Sequence, residues 1–235
     1  MEGIYYYPYW QWEHILFIVL SIIAPIVLIK ATRSADERVK YGMAKALAVL
    51  LVVNFIVYQC YRISIGFWSI TYDLPLELCN WAIGVTAVAL WKKSQRWAEV
   101  AFFWVMAGSI HGIITPDIHQ PFPHLTYITF VVGHSGLVLA VFYAVFGLGL
   151  KPQAGVVKRV MLISQIYLAT AFTANWLLGS NYGYLMKKPE GGSFLDVLHD
   201  WPYYVIELQF IGLISYTIIY LPFWWSRRNG NVETM

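Results

Sequence analysis

Cys79 and His134 are the residues best suited to chemistry in this sequence. Cys79 sits in Leu74-Pro75-Leu76-Glu77-Leu78-Cys79-Asn80-Trp81, at the head of an apolar segment that continues to Trp91. Pro75 suits the first turn of a helix, where its missing N–H costs nothing. Asp73, just before it, is a cap candidate. Cys79 then falls in or just after the first turn, where unpaired N–H groups create a positive potential that favours a nucleophilic thiolate. The same cysteine also suits two structural roles. It can be a buried small apolar side chain, or half of a disulfide with Cys60, the only other cysteine.

His134, in Val131-Val132-Gly133-His134-Ser135-Gly136, is the candidate general base. The small residues around it allow close approach of a neighbouring helix or an acyl chain. His124, Tyr127 and Val131 share its face at helical spacing, so a polar stripe would lead in from the end of the helix. An interhelical hydrogen bond that only holds the bundle together is the structural alternative. His111 falls at similar depth and competes for the role of base. Asn80 and Asn175 are candidate oxyanion donors, and Glu77 is a candidate supporting carboxylate. Arg62 is expected to pair with Glu77 or Glu207. Asn181, Tyr182, Lys187 and Lys188 share one polar loop that could hold a lipid phosphate, or whose lysines merely snorkel. His111, Asp117, His119 and His124 do not make a metal site: no two histidines stand at i, i+4, and no zinc helix motif occurs. No nucleophile elbow, phosphate-cradling glycine loop or cofactor fingerprint is present, so no cofactor is expected.

These groups lie in a chain of 235 residues that is 59% hydrophobic and only 12% charged, the composition of an integral membrane protein. Seven apolar segments, near 12–30, 43–62, 75–91, 97–116, 123–148, 157–183 and 202–225, match the ~20 residues a bilayer requires. Backbone groups in lipid must pair internally, so each is expected to be a helix. The fold expected is all-α, one seven-helix domain over 1–235. Thirteen of the sixteen basic residues fall on one side of these segments, and only Arg62, Lys187 and Lys188 on the other. That asymmetry puts the N-terminus outside and the C-terminus in the cytoplasm of a multi-pass cell-membrane protein. The first dozen residues contain no Lys or Arg, so a cleavable signal is not expected. The aromatic clusters Tyr5-Tyr6-Tyr7 and Phe223-Trp224-Trp225 suit the headgroup interface. The net charge of +3 follows membrane side and does not suggest a nucleic-acid partner. At 1.5 Å per residue from the basic side, Cys79, His134, His111, Gln59 and Asn175 lie at roughly 18, 20, 21, 21 and 24 Å. They are expected to share one polar layer beneath the outer surface.

Three separated motifs carry a resemblance over about residues 10–225. The first is Leu74-Pro75-Leu76 with Cys79. The second runs from Gly108 through Thr115-Pro116-Asp117 and Phe122-Pro123-His124 to His134. The third is Gly179-Ser180-Asn181-Tyr182, Lys188-Pro189 and Trp201-Pro202-Tyr203-Tyr204. Together they resemble the YwaF-like bacterial membrane proteins, related to a mammalian transmembrane acyltransferase that makes ether phospholipids. The resemblance implies seven helices and acyl transfer by a cysteine, carried over to Cys79, and a histidine, carried over to His134. The function expected is a lipid acyltransferase that moves an acyl chain from a membrane phospholipid, through a cysteine thioester, to a lysolipid or alcohol. Its partners would be those lipids, with no protein partner implied. A lipid hydrolase using the same pair, and a non-enzymatic lipid or solute carrier, are the alternatives.

Overall fold

The computed structural model describes residues 9–189 and 194–230, so the Tyr5-Tyr6-Tyr7 cluster lies outside the described residues. Helices account for nearly all regular structure among them, and no strand occurs there. Six helical runs are long and apolar enough to cross a membrane, which makes this a multi-pass membrane protein. They are α1 (Trp12–Thr32), α2 (Glu37–Ser64), α4 with α5 (Gln95–Ile114), α6 with its terminal turn (Leu125–Gly147), α7 (Val156–Leu178) and α8 (Tyr203–Gly230). The seventh apolar segment forms α3 (Leu78–Lys92), which is shorter at 15 residues. That is roughly 22 Å of helix against the ~30 Å of a hydrocarbon core.

The middle of the bundle is built from α4 and α6. Every residue from Ala98 to Val105 is buried, including Phe102, Phe103 and Trp104, the all-round burial of a core helix. Around this centre, α3 packs against α2 and α4, and α6 against α1 and α2. Alanines at the seams (Ala44, Ala48, Ala82, Ala89, Ala140 and Ala171) are fully buried and let the backbones approach closely. The outer helices leave Ile22, Val27, Ile56, Ile166, Phe210 and Ile218 at least half exposed, the apolar face that lipid covers.

Two of the runs contain a turn that apolar patterning does not signal. Val105–Ser109 and Tyr143–Gly147 are π-helical, with Ile110 N–H donating to Val105 O at 2.8 Å and Leu148 N–H to Tyr143 O at 2.9 Å. The first inserts one residue and rotates the face of every later residue in its run, by about 100° on a 3.6-residue helix, whereas the second closes its run at Gly147. The first leads directly into the four-residue α5, His111–Ile114.

Each end of the bundle is tied by a buried carboxylate. At the end holding the N-terminus of α3, Asp73 is 4% exposed and accepts from Arg62 Nε at 2.8 Å, Arg62 Nη2 at 3.0 Å and Ser69 N–H at 2.9 Å. This corrects two expectations: Arg62 pairs with Asp73, not with Glu77 or Glu207, and Asp73 does not cap α3. The helix begins at Leu78, with Glu77 at the cap position, so Pro75 lies in the preceding turn rather than inside the helix. The physical reason is competition for polar groups. Asp73 is committed to Arg62, and the Glu77 carboxylate accepts Gly183 N–H at 2.9 Å instead of folding back on its own helix. At the opposite end Glu99 is 2% exposed and accepts from Arg159 Nη2 at 2.7 Å and Gln153 N–H at 2.8 Å.

Candidate functional site

Cys79 is the second residue of α3, so it lies in the first turn, as its spacing suggests. Asn80 N–H donates to Glu77 O at 3.0 Å, which leaves the Leu78 and Cys79 N–H groups as those of the turn without an intrahelical acceptor. The thiol is half-buried and not in a disulfide; Cys60 is likewise free and exposed on α2. The Cys79 thiol lies within electrostatic reach of the Glu77 carboxyl and close to Ser109, whose buried hydroxyl has no hydrogen-bond partner among the described residues. A carboxyl, rather than a cation, therefore stands beside the sulfur. Removing the thiol proton falls to a separate base.

His134 sits one helix away on α6. Its ring stacks on Phe130, with centroids 4.1 Å apart, and Nδ1 lies 3.0 Å from Phe130 O. A carbonyl only accepts, so Nδ1 carries the hydrogen and Nε2 keeps a lone pair. The Cδ2–Nε2 edge of the ring lies against the Cα of Gly112, where a Cβ would collide with both atoms.

Ser109 and Gly112 belong to one short stretch, the end of the π-helical turn and the start of α5. Leu78 packs its side chain over Gly108, Cys79 meets Ser109, and His134 meets Gly112. The sulfur and the imidazole therefore border the same segment, at residues three apart in the chain. His111, the competing base, is exposed at the start of α5. The π-helical turn accounts for this, since an inserted residue turns Gly112 rather than His111 toward α6.

The other expected site residues divide clearly. Asn80 is half-buried in the first turn beside Cys79. Asn175 is not positioned as an oxyanion donor. Its Nδ2 donates to Tyr182 O at 2.9 Å, and its Oδ1 accepts from Tyr182 N–H at 2.7 Å and Ser180 Oγ at 2.8 Å. Those bonds hold the loop that follows α7. Asn181 does the same work, accepting from the N–H groups of Met186 and Lys187 and donating to Lys187 O. Tyr182 ties this loop to the segment before α3: its hydroxyl accepts from Leu74 N–H at 2.9 Å and donates to Ile70 O at 2.8 Å. The Lys188 ammonium donates to Leu198 O at 2.8 Å and faces the Tyr204 ring, whereas Lys187 is exposed on the loop. Gln59, expected in the polar layer, donates to Asp73 O at 2.6 Å at the bundle end. Glu207 pairs with His199.

Residues that sequence reasoning overlooked complete the surroundings. Tyr167 is 8% exposed, packs on Trp81 and Trp104, and aims its hydroxyl at Gly183, within electrostatic reach of Glu77 and Cys79. Tyr184 donates to Asp117 Oδ2 at 3.0 Å, and burial followed by the Asp117 charge pushes its hydroxyl pKa up. His14 is fully buried, with Nε2 2.9 Å from Ile113 O, and so ties α1 to the end of α5. Neither tyrosine nor His14 carries a motif; only the three-dimensional neighbours reveal them. Among the described residues no three His, Cys, Asp or Glu side chains gather in a metal-binding group; His119 pairs with Asp117, and His124 Nε2 lies 3.1 Å from Tyr61 OH.

Residues 8–220 match the sequence model of the TMEM164 family. No curated protein and no solved structure matches the chain.

Proposed function

Because the chain belongs to the TMEM164 family of membrane proteins, we propose that it is an intramembrane lipid acyltransferase with Cys79 as nucleophile and His134 as base. The observation that carries this reading is the common border: Cys79 against Ser109 and His134 against Gly112, with a bare Nε2 on the imidazole. The likeness of the Leu-Pro-Leu and Cys79 motif to the YwaF-like proteins, and to the ether-phospholipid acyltransferase related to them, supports acyl chemistry. In this reading α3 is a seventh span in a single domain, the N-terminus is outside, and the protein resides in the cell membrane. The thirteen basic residues gathered at one side support that orientation.

The reaction runs in two halves. Cys79 Sγ attacks the ester carbonyl of a phospholipid while His134 Nε2 takes the thiol proton. The tetrahedral oxyanion is met by the first-turn N–H groups of α3 and by Asn80. Its collapse breaks the ester C–O bond; His134 returns the proton to the departing lysolipid oxygen, leaving a Cys79 thioester. The hydroxyl of a lysolipid or alcohol then gives its proton to His134 and attacks the thioester. Cys79 leaves as the thiol and the new ester forms. The donor is already in the membrane, so no cofactor is consumed. Asn181, Tyr182 and Lys188 are occupied in holding the loop.

Intact-mass measurement after incubation with phospholipid tests this. The expected result is a gain of one acyl chain, absent in Cys79→Ala and removed by added lysolipid. An adduct that persists in Cys79→Ala, or none in the wild type even with a poor acceptor, overturns it. Free fatty acid released in place of a new ester would identify the hydrolase.

A further inference from the structure

At the end of the bundle opposite Cys79, the loop after α6 and the last turns of α8 enclose a cleft of about 700 Å³. Phe146 and Phe223 form one wall, stacked at 6.1 Å with planes 25° apart, and Pro222 extends it. The polar side carries Lys151, Arg227, Ser226 and the Gln153 amide. Arg227 Nη2 donates to Pro152 O at 2.7 Å and Tyr220 OH at 2.8 Å, which fixes the guanidinium at the rim without using an acid. The Lys151 ammonium has no anionic partner among the described residues. The nearest buried carboxylate, Glu99, is already committed to Arg159.

We infer that this cleft is a binding site for the phosphate headgroup of an acidic membrane phospholipid. Two cations without acid partners among the described residues line one cavity whose other wall is aromatic. Phosphate meets the cations and Ser226, while the first acyl carbons lie against Phe146, which is 45% exposed. Basic pockets between helices bind acidic headgroups in this way. The cleft lies at the far end of the helices from Cys79, so it is not the acyl site and its occupancy does not depend on acyl chemistry.

Native mass spectrometry of the whole protein, delipidated in detergent and offered phosphatidylglycerol or phosphatidylcholine, tests this. Phosphatidylglycerol should be retained in preference, and Lys151→Glu should reduce retention by at least about five-fold, the factor for one basic residue at an anionic surface. Arg38→Glu reverses an exposed charge at the same end, outside the cleft, and should leave retention unchanged. Equal loss in Arg38→Glu would show bulk charge and overturn the site. Displacement of the lipid by millimolar inorganic phosphate or glycerol phosphate would overturn the lipid assignment. No preference between the two lipids would overturn both.

Discussion

Gly112→Ala tests the geometry on which the catalytic reading rests. A Cβ at Gly112 would fall inside 3.0 Å of His134 Cδ2 and Nε2 and at 3.2 Å from its Cγ, whereas ordinary contact begins near 3.4 Å. The imidazole must therefore retreat by about 1 Å. It cannot do so freely, because it is stacked on Phe130 and held by the Nδ1–H bond to Phe130 O. Overpacking of this kind costs about 1–3 kcal/mol, which lowers stability but leaves the fold intact. A misplacement of about 1 Å in a catalytic group costs on the order of 100-fold in rate. The assay is the rate of acyl adduct formation by intact mass, with a thermal melt on the same sample. Gly84→Ala is the control, since nothing lies within 4 Å of a Cβ there. It should keep full activity and gain roughly 0.5–1 kcal/mol from helix propensity. The double variant Gly112→Ala/His134→Ala should be no slower than His134→Ala alone, because both changes act through one ring. A Gly112→Ala protein that is less stable but forms the adduct at the wild-type rate would refute His134 as the base.

The polar ties carry further consequences. Tyr182→Phe strips partners from Leu74 N–H and Ile70 O, and should lower stability by about 1–3 kcal/mol in a thermal melt. Arg62→Met leaves the Asp73 carboxylate buried and unpaired; the expected loss is about 3–5 kcal/mol, largely recovered in Arg62→Met/Asp73→Leu. The hydroxyl pKa of Tyr184 is raised by burial and then by Asp117, so its contribution is complete below the unfolded tyrosine value of about 10 and is lost as pH rises above it. Tyr184→Phe should therefore flatten the alkaline limb of stability against pH.

The membrane-crossing runs were legible because about 20 consecutive apolar residues have few alternatives. Observed bounds differ from expected ones by a few residues, mostly where polar ends such as Glu37 or Arg227 continue a helix past the apolar core. Cys79 in a first turn was legible too, from Pro75 and the onset of the apolar run. Partnerships between distant residues could not be read. Arg62 had three carboxylates to choose from, and its choice depends on the turn through Ser69 and Phe67, whose carbonyl also accepts from it. Asn175 and Asn181 resembled ligand-binding amides because sequence does not reveal how many hydrogen bonds an amide already makes. The π-helical turn at Val105–Ser109 leaves no mark in an apolar stretch, yet it determines that Gly112 rather than His111 meets His134.

That division between groups that bind and groups that brace bears on the choice of acceptor. The loop from Ser180 to Tyr184 lies over the N-terminus of α3, joined to it by Gly183 N–H on Glu77 and by Tyr182 on Leu74 and Ile70. Asn175 anchors the loop with three side-chain hydrogen bonds. A thioester on Cys79 would sit beside this loop, which restricts the approach of water to it. Transfer and hydrolysis share every catalytic group, so exclusion of water is what separates them. Asn175→Ala removes all three anchors without touching Cys79, Asn80 or His134. Its expected effect is a shift from transferred ester toward free fatty acid at an unchanged rate of thioester formation, read by lipid product analysis alongside intact mass. An unchanged product ratio, with the loop shown to be loosened by faster amide exchange at Tyr182, would mean that the acceptor is chosen elsewhere.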